Sequence, residues 1–119
     1  MSNSTARINA LLNNHLQSFA RKDVDGIMQD YSEESVFITA SGTLHGLKAI
    51  RDFFDAFIQA LPAGFLDAFK MNRQEVSSDV AYIAWEAAPW IQLGTDSFLV
   101  KDSKIMVQTF AAYPPFPSP

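Results

Sequence analysis

The stretch Gly94–Tyr113, GTDSFLVKDSKIMVQTFAAY, decides the fold of this chain. It reads as two strands joined by a tight turn at Lys101-Asp102-Ser103-Lys104, where short polar residues separate two alternating segments. Side chains on a strand alternate between faces. Gly94, Asp96, Phe98 and Val100 therefore share one face of the first strand, and Met106, Gln108, Phe110 and Ala112 share one face of the second. Each face is apolar with one polar group. A carboxylate on such a face has to be paired, hydrogen-bonded or protonated, because a bare buried ion is too costly to keep. Asp96 is thus the first candidate for chemistry, and the hairpin reads as the wall of an apolar pocket.

Two more strands lead into this hairpin, Phe65–Glu75 and Val80–Ala88, with Ser77-Ser78-Asp79 as the turn between them. Pro89 marks a bend before the strand Ile91–Lys101 begins. Ala81, Ile83 and Trp85 fall on the pocket face. Tyr82, Ala84 and Glu86, with Thr109 and Ala111, face outward and form a candidate homodimer surface.

Before the strands the periodicity is helical. Ile8, Leu11, Leu12, His15, Leu16 and Phe19 stripe one face of a helix over Thr5–Arg21, with Ser4 as its N-cap. His15 lies on that stripe, so it is either a core-edge histidine bonded to a backbone carbonyl or a donor pointing into the pocket. A second helix spans Val24–Tyr31, capped by Asp23, and its Gly26 implies close packing. Ser32–Ser35 break it. Val36–Thr39 is a short strand with Phe37 and Thr39 on one face. Ala40–Gly46 is a loop or edge strand, and His45 in it is solvated. The third helix, Leu47–Leu61, buries Leu47, Ile50, Phe54, Phe57, Ile58 and Leu61 and ends at Pro62. Arg51 and Asp55 are spaced for a surface pair. Pro114–Pro119 is a proline-rich tail, packed or frayed.

Helices followed by a run of strands make an α+β fold. The 119 residues form a single domain, 1–119, and 48% of them are hydrophobic. Ten Phe, two Trp and three Tyr need burial or a cavity to line. The net charge of −4, without a basic run, argues against nucleic acid as a partner. The lack of cysteine excludes disulfides and thiolate metal sites, and it fits a cytoplasmic protein. No run reaches membrane-spanning length, and MSNSTARINA is not an apolar signal segment. His15 and His45 lie on different elements, so no metal site is expected, and no nucleotide, haem or other cofactor motif is present.

Lys22–Phe37, KDVDGIMQDYSEESVF, resembles the segment that closes the second helix and opens the first strand in the nuclear transport factor 2-like superfamily. Gly46–Phe54, GLKAIRDFF, resembles its third helix, and Asp96–Phe110, DSFLVKDSKIMVQTF, its final hairpin. The likeness is greatest to the SnoaL-like and ketosteroid isomerase-like branches. It implies a cone-shaped, strongly bent, mixed or antiparallel sheet wrapped by three N-terminal helices. It also implies a pocket in which His15 matches the position of an aromatic donor and Asp96 that of a protonated aspartic acid. Thr39 matches the position of the proton-moving base, which a threonine cannot replace. Tyr31, Phe54, Phe98, Gln108, Phe110 and Ala112 match other pocket positions, and the residues add Phe37 and Trp85.

Three functions remain open on this reading. The first is an isomerase, cyclase or dehydratase that acts on a small apolar carbonyl compound through Asp96 and His15. The second is a carrier that binds a lipid-like molecule without chemistry. The third is an interaction domain that uses its outer sheet. Asp96, desolvated by its apolar neighbours, is expected to be largely protonated near neutral pH and to donate to a ligand oxygen, with an ion pair to His15 as the alternative.

Overall fold

The alternation read in residues 94–113 is present in the computed structural model, which describes residues 2–116. The elements run α1 (Ser2–Ala20), α2 (Val24–Met28), β1 (Val36–Thr39), β2 (Gly42–His45), α3 (Gly46–Gln59), α4 (Phe65–Ala68), β3 (Phe69–Ser77), β4 (Val80–Ala87), β5 (Ile91–Lys101) and β6 (Lys104–Tyr113). One six-stranded sheet forms in the order β2-β1-β6-β5-β4-β3. β1 pairs with β6 in parallel, and every other pairing is antiparallel. The sheet is not closed. Helices wrap its inner face, giving the expected cone.

The β5–β6 turn is made by Asp102 and Ser103, both at positive φ (52° and 61°). That pair of left-handed residues matches the twist of a two-residue hairpin. Further along, the register shifts between Leu99 and Val100, which face Val107 and Ile105. Met106 is the extra residue of this bulge. The shift corrects the expected face: Ile105 is fully buried, and Met106 stands half-buried near Ser32. Leu12, Ile27, Ile50, Phe65, Ile91 and Ile105 have no exposed surface and make the centre of the core, each contributing roughly 1.5–3 kcal/mol.

Local chemistry accounts for the helix ends. Asp23 accepts a hydrogen bond from Gly26 N at 3.0 Å and caps α2 as expected. A Cβ on Gly26 would lie 2.7 Å from both Asp23 Oδ2 and Ser18 Oγ, so α1 and α2 meet there. Asp30 N and Tyr31 N bond three residues back, to Ile27 O and Met28 O, and this tightened turn ends α2 before Tyr31. α1 begins at Ser2, so Ser4 lies inside the helix and does not cap it. Phe65–Ala68, read as strand, is a helical turn. Gly64 enters it at φ 89°, and it buries Phe65 against Trp90 and Phe116. Arg51 bonds Asp25 at 2.6 Å and does not pair with Asp55, while Lys48 pairs with Asp52 at 2.8 Å. These pairs lie at the surface and stabilise little. The tail is packed through Phe116, whose ring sits 5.2 Å from that of Phe57. Residues 117–119 lie outside the described residues.

Candidate functional site

Asp96 lies on β5 between Ile83 of β4 and Phe110 of β6, on the inner face of the sheet. Its carboxylate accepts two side-chain hydrogen bonds. Trp85 Nε1 donates to Oδ1 at 2.9 Å, and Gln108 Nε2 donates to Oδ2 at 2.9 Å. Behind Gln108, the Tyr31 hydroxyl donates to Oε1. Trp85 reaches Asp96 across Gly94, which is its partner on β5. A Cβ on Gly94 would lie 2.4 Å from Trp85 Cε2, so only glycine leaves room for the indole at that place.

His15 of α1 closes the site from the helical side. Its ring meets those of Phe98, Phe54 and Tyr31 edge-on, at centroid distances of 5.8, 5.9 and 6.1 Å. Its Nδ1 is buried and has no hydrogen-bond partner. The backbone-bonded core histidine of the sequence reading is therefore not what forms at Nδ1. Nor is His15 bonded to Asp96, whose partners are Trp85 and Gln108.

His15, Asp96, Trp85 and Gln108 meet in a cavity of about 60 Å³. Phe37, Phe53, Phe54, Phe57, Phe69 and Phe110 supply most of the remaining wall. This volume is small beside the roughly 300–1,000 Å³ of ordinary ligand sites. It admits a small functional group, and a larger ligand has to displace phenylalanine rings.

Burial pushes the Asp96 carboxyl up to about 6, and the hydrogen bonds from Trp85 and Gln108 oppose that shift. The rise is in the direction expected from its apolar neighbours, and at about 6 it leaves Asp96 more ionised than protonated at pH 7. Burial also pulls His15 down to about 4, so its imidazole is neutral at the same pH. Tyr31 is pushed well above its ordinary value, first by burial and then by the charges of Asp96 and Asp30, and stays a neutral phenol.

Of the residues singled out in the sequence, His15, Phe37, Phe54, Trp85, Asp96, Gln108 and Phe110 come together on the cavity wall. Four do not. Ala112 packs half-buried against the core. Tyr31 stands behind Gln108. Phe98 is buried in the core beside His15. Thr39 ends β1, where its hydroxyl donates to Gly42 O at 3.0 Å and accepts from Ser41 N at 3.1 Å, so it belongs to the β1–β2 turn. Sequence reasoning missed Leu16, Phe19, Phe53, Phe57 and Phe69 as wall residues. Phe57 was visible on the buried stripe of α3, but Phe69 was hidden by reading α4 as strand.

The arrangement offers a carboxylate able to take up and release a proton near physiological pH, beside a neutral imidazole in an apolar enclosure. Among the described residues no group of three or more His, Cys, Asp or Glu is placed to hold a metal ion, and no helix is long and apolar enough to cross a membrane.

Comparison with solved structures finds the same fold repeatedly. An NTF-2 like protein of unknown function from Burkholderia xenovorans superposes with a TM-score of 0.76 at 18% identity, covering 97% of this chain and 89% of that one. A SnoaL-like protein of unknown function from Burkholderia thailandensis gives 0.75 at 15% identity, covering 90% and 95%. A Sinorhizobium meliloti protein proposed to be a polyketide cyclase gives 0.72 at 17% identity, covering 86% and 94%. No curated protein matches the sequence. At these identities the likeness is one of fold. The model of the SnoaL-like domain matches residues 12–106, from the first helix into the start of the last strand, and so includes His15, Trp85 and Asp96, while Gln108 and Phe110 lie just beyond it. The chain belongs to the SnoaL-like domain family.

Proposed function

We propose that this protein is an enzyme of the isomerase, cyclase or dehydratase type, acting on a small apolar carbonyl compound. Asp96 takes a proton from the carbon next to the carbonyl, the C–H electron pair moves into an enolate, and a His15 N–H donates to the enolate oxygen. Protonated Asp96 then returns the proton to another atom of the same molecule. The observation that carries this reading is that a buried carboxylate and a buried histidine, whose Nδ1 has no protein partner, line one apolar cavity. The fold shared with a protein proposed to be a polyketide cyclase is in keeping with carbonyl chemistry.

The test is deuterium exchange at the α-carbon of small cyclic ketones in heavy water, followed by proton nuclear magnetic resonance. Exchange above the buffer rate, abolished in Asp96→Asn, supports the proposal. Ligand binding without exchange favours a non-catalytic carrier, a reading that the engagement of both Asp96 oxygens by protein donors also favours.

The assembly that goes with this reading is a homodimer through the outer face of the sheet, where Val80, Tyr82, Leu93 and Tyr113 are exposed.

A further inference from the structure

Trp85, Gln108 and Tyr31 differ in what their polar groups can do. The indole N–H is a donor only. The glutamine amide offers an acceptor at one end and donors at the other, and a phenol hydroxyl serves as either. In the arrangement described above, the Tyr31 hydroxyl donates to Gln108 Oε1, and Gln108 Nε2 donates to Asp96 Oδ2. The chain of hydrogen bonds runs toward Asp96 and suits a carboxylate. The oxygen and nitrogen of an amide are nearly the same size, so a half-turn about Cγ–Cδ exchanges them without repacking the core.

We propose that the Tyr31–Gln108 pair is a reversible positioning relay that holds Asp96 in either proton state. When a proton arrives on Oδ2, the amide turns over, the Asp96 hydroxyl donates to Gln108 Oε1, and Nε2 donates to the Tyr31 oxygen. Both hydrogen bonds of the chain are kept, with their direction reversed. Trp85 fixes which oxygen takes the proton: its N–H cannot become an acceptor, so Oδ1 stays an acceptor and Oδ2 carries the hydrogen. Tyr31 never touches the ligand and acts through Gln108. The relay rests on the reading of Asp96 as the proton-carrying group of the site. It gives that group what a base that later becomes an acid requires, since neither state strands a buried polar atom of the carboxyl–amide pair.

Few other charges bear on the exchange. Among the described residues, the titratable groups turned toward Asp96 are His15 on α1, neutral at working pH, and Tyr31 with Asp30 beside it after α2. From α3, β4 and β6 the cavity wall receives Phe53, Phe54, Phe57, Ile83, Trp85 and Phe110, and none of these carries charge. Lys48, Arg51 and Asp52 of α3 pair at the surface.

The experiment is a pH series by nuclear magnetic resonance on the full chain, labelled with carbon-13 and nitrogen-15, with no ligand added. The relay predicts that nuclear Overhauser contacts from the Gln108 side-chain amide protons to the Tyr31 ring strengthen as pH falls. Their midpoint is that of the Asp96 carboxyl carbon, near pH 6. Amide contacts that stay constant through the Asp96 titration overturn the proposal, and this wild-type series decides the matter even where a variant fails to fold. In Tyr31→Phe both states lose one hydrogen bond, so the proton affinity of Asp96 stays within about threefold of wild type; a larger change marks a one-way lock and also overturns it. Because no substrate is present, failure of the relay is read separately from failure of the ketone exchange.

Discussion

The two buried titratable groups of the cavity drive stability in opposite directions, and removing either one exposes the other. Asp96 is raised from 3.8 to about 6 on folding. An acid that holds its proton more tightly when folded adds stability at low pH, and that contribution is lost as pH rises from about 3.8 through about 6. The loss is about 3 kcal/mol, from a little over two pH units at about 1.4 kcal/mol each. His15 is lowered from 6.5 to about 4. A base that is neutral when folded gives stability above its unfolded value, and that stability is lost as pH falls from about 6.5 through about 4. Its loss is again about 3 kcal/mol, with the opposite slope. Between about pH 4 and 6 the two slopes cancel, one proton against one. Urea unfolding at half-unit pH steps tests this. Asp96→Asn relative to wild type gains stability steadily across the window, by about 3 kcal/mol in all, and His15→Gln loses a similar amount. Taking each variant against wild type removes background titrations, including that of buried Asp30, which is also raised. A pH-independent cost of the substitution drops out of the slope. If both differences are flat with pH, neither group is perturbed and the assignment of Asp96 as a near-neutral base fails with it.

Gly94→Ala forces the Trp85 indole to move by about 1 Å to restore an ordinary contact, because the new Cβ would lie 2.4 Å from Cε2. The expected cost is about 2–4 kcal/mol in urea unfolding, combining overpacking with loss of the Nε1 bond to Asp96, and Trp85→Phe in a double-mutant cycle recovers most of it. Gln108→Leu removes a charge-assisted bond from the ionised state of Asp96 and only a weaker neutral one from the protonated state, so its carboxyl titration, followed by nuclear magnetic resonance, moves upward from wild type. Thr39→Asp leaves ketone exchange unchanged, because position 39 is held in the β1–β2 turn; an increase in rate assigns it a place at the cavity after all. Sedimentation at about ten micromolar gives a dimer that Tyr82→Lys dissociates, and a wild-type monomer there refutes the proposed assembly.

The parts of the molecule that follow from one residue's own neighbours were legible in the sequence, and those that depend on partners across strands were not. Strand alternation put Asp96, Phe98, Gln108, Phe110 and Trp85 on one face, and the β5 and β6 limits read from it agree with the structure. The bulge at Met106 escaped that reading because a register shift is a property of two strands together, and Ile105 took the buried place. Arg51 likewise found Asp25 on another element before its own helical neighbour. The same division explains why Asp96, raised as its apolar neighbours require, is raised less than they alone suggest. Its apolar neighbours, visible along the chain, say only that the charge is costly. The indole and amide that lower that cost come from β4 and β6, and their aim depends on Gly94 being bare and on Tyr31 turning the amide of Gln108. Desolvation alone makes a neutral acid that can only donate. Desolvation opposed by two donors, of which only the indole is fixed, leaves a carboxylate that is ionised at neutral pH yet easily protonated, and only such a group can take a proton from carbon and give it back.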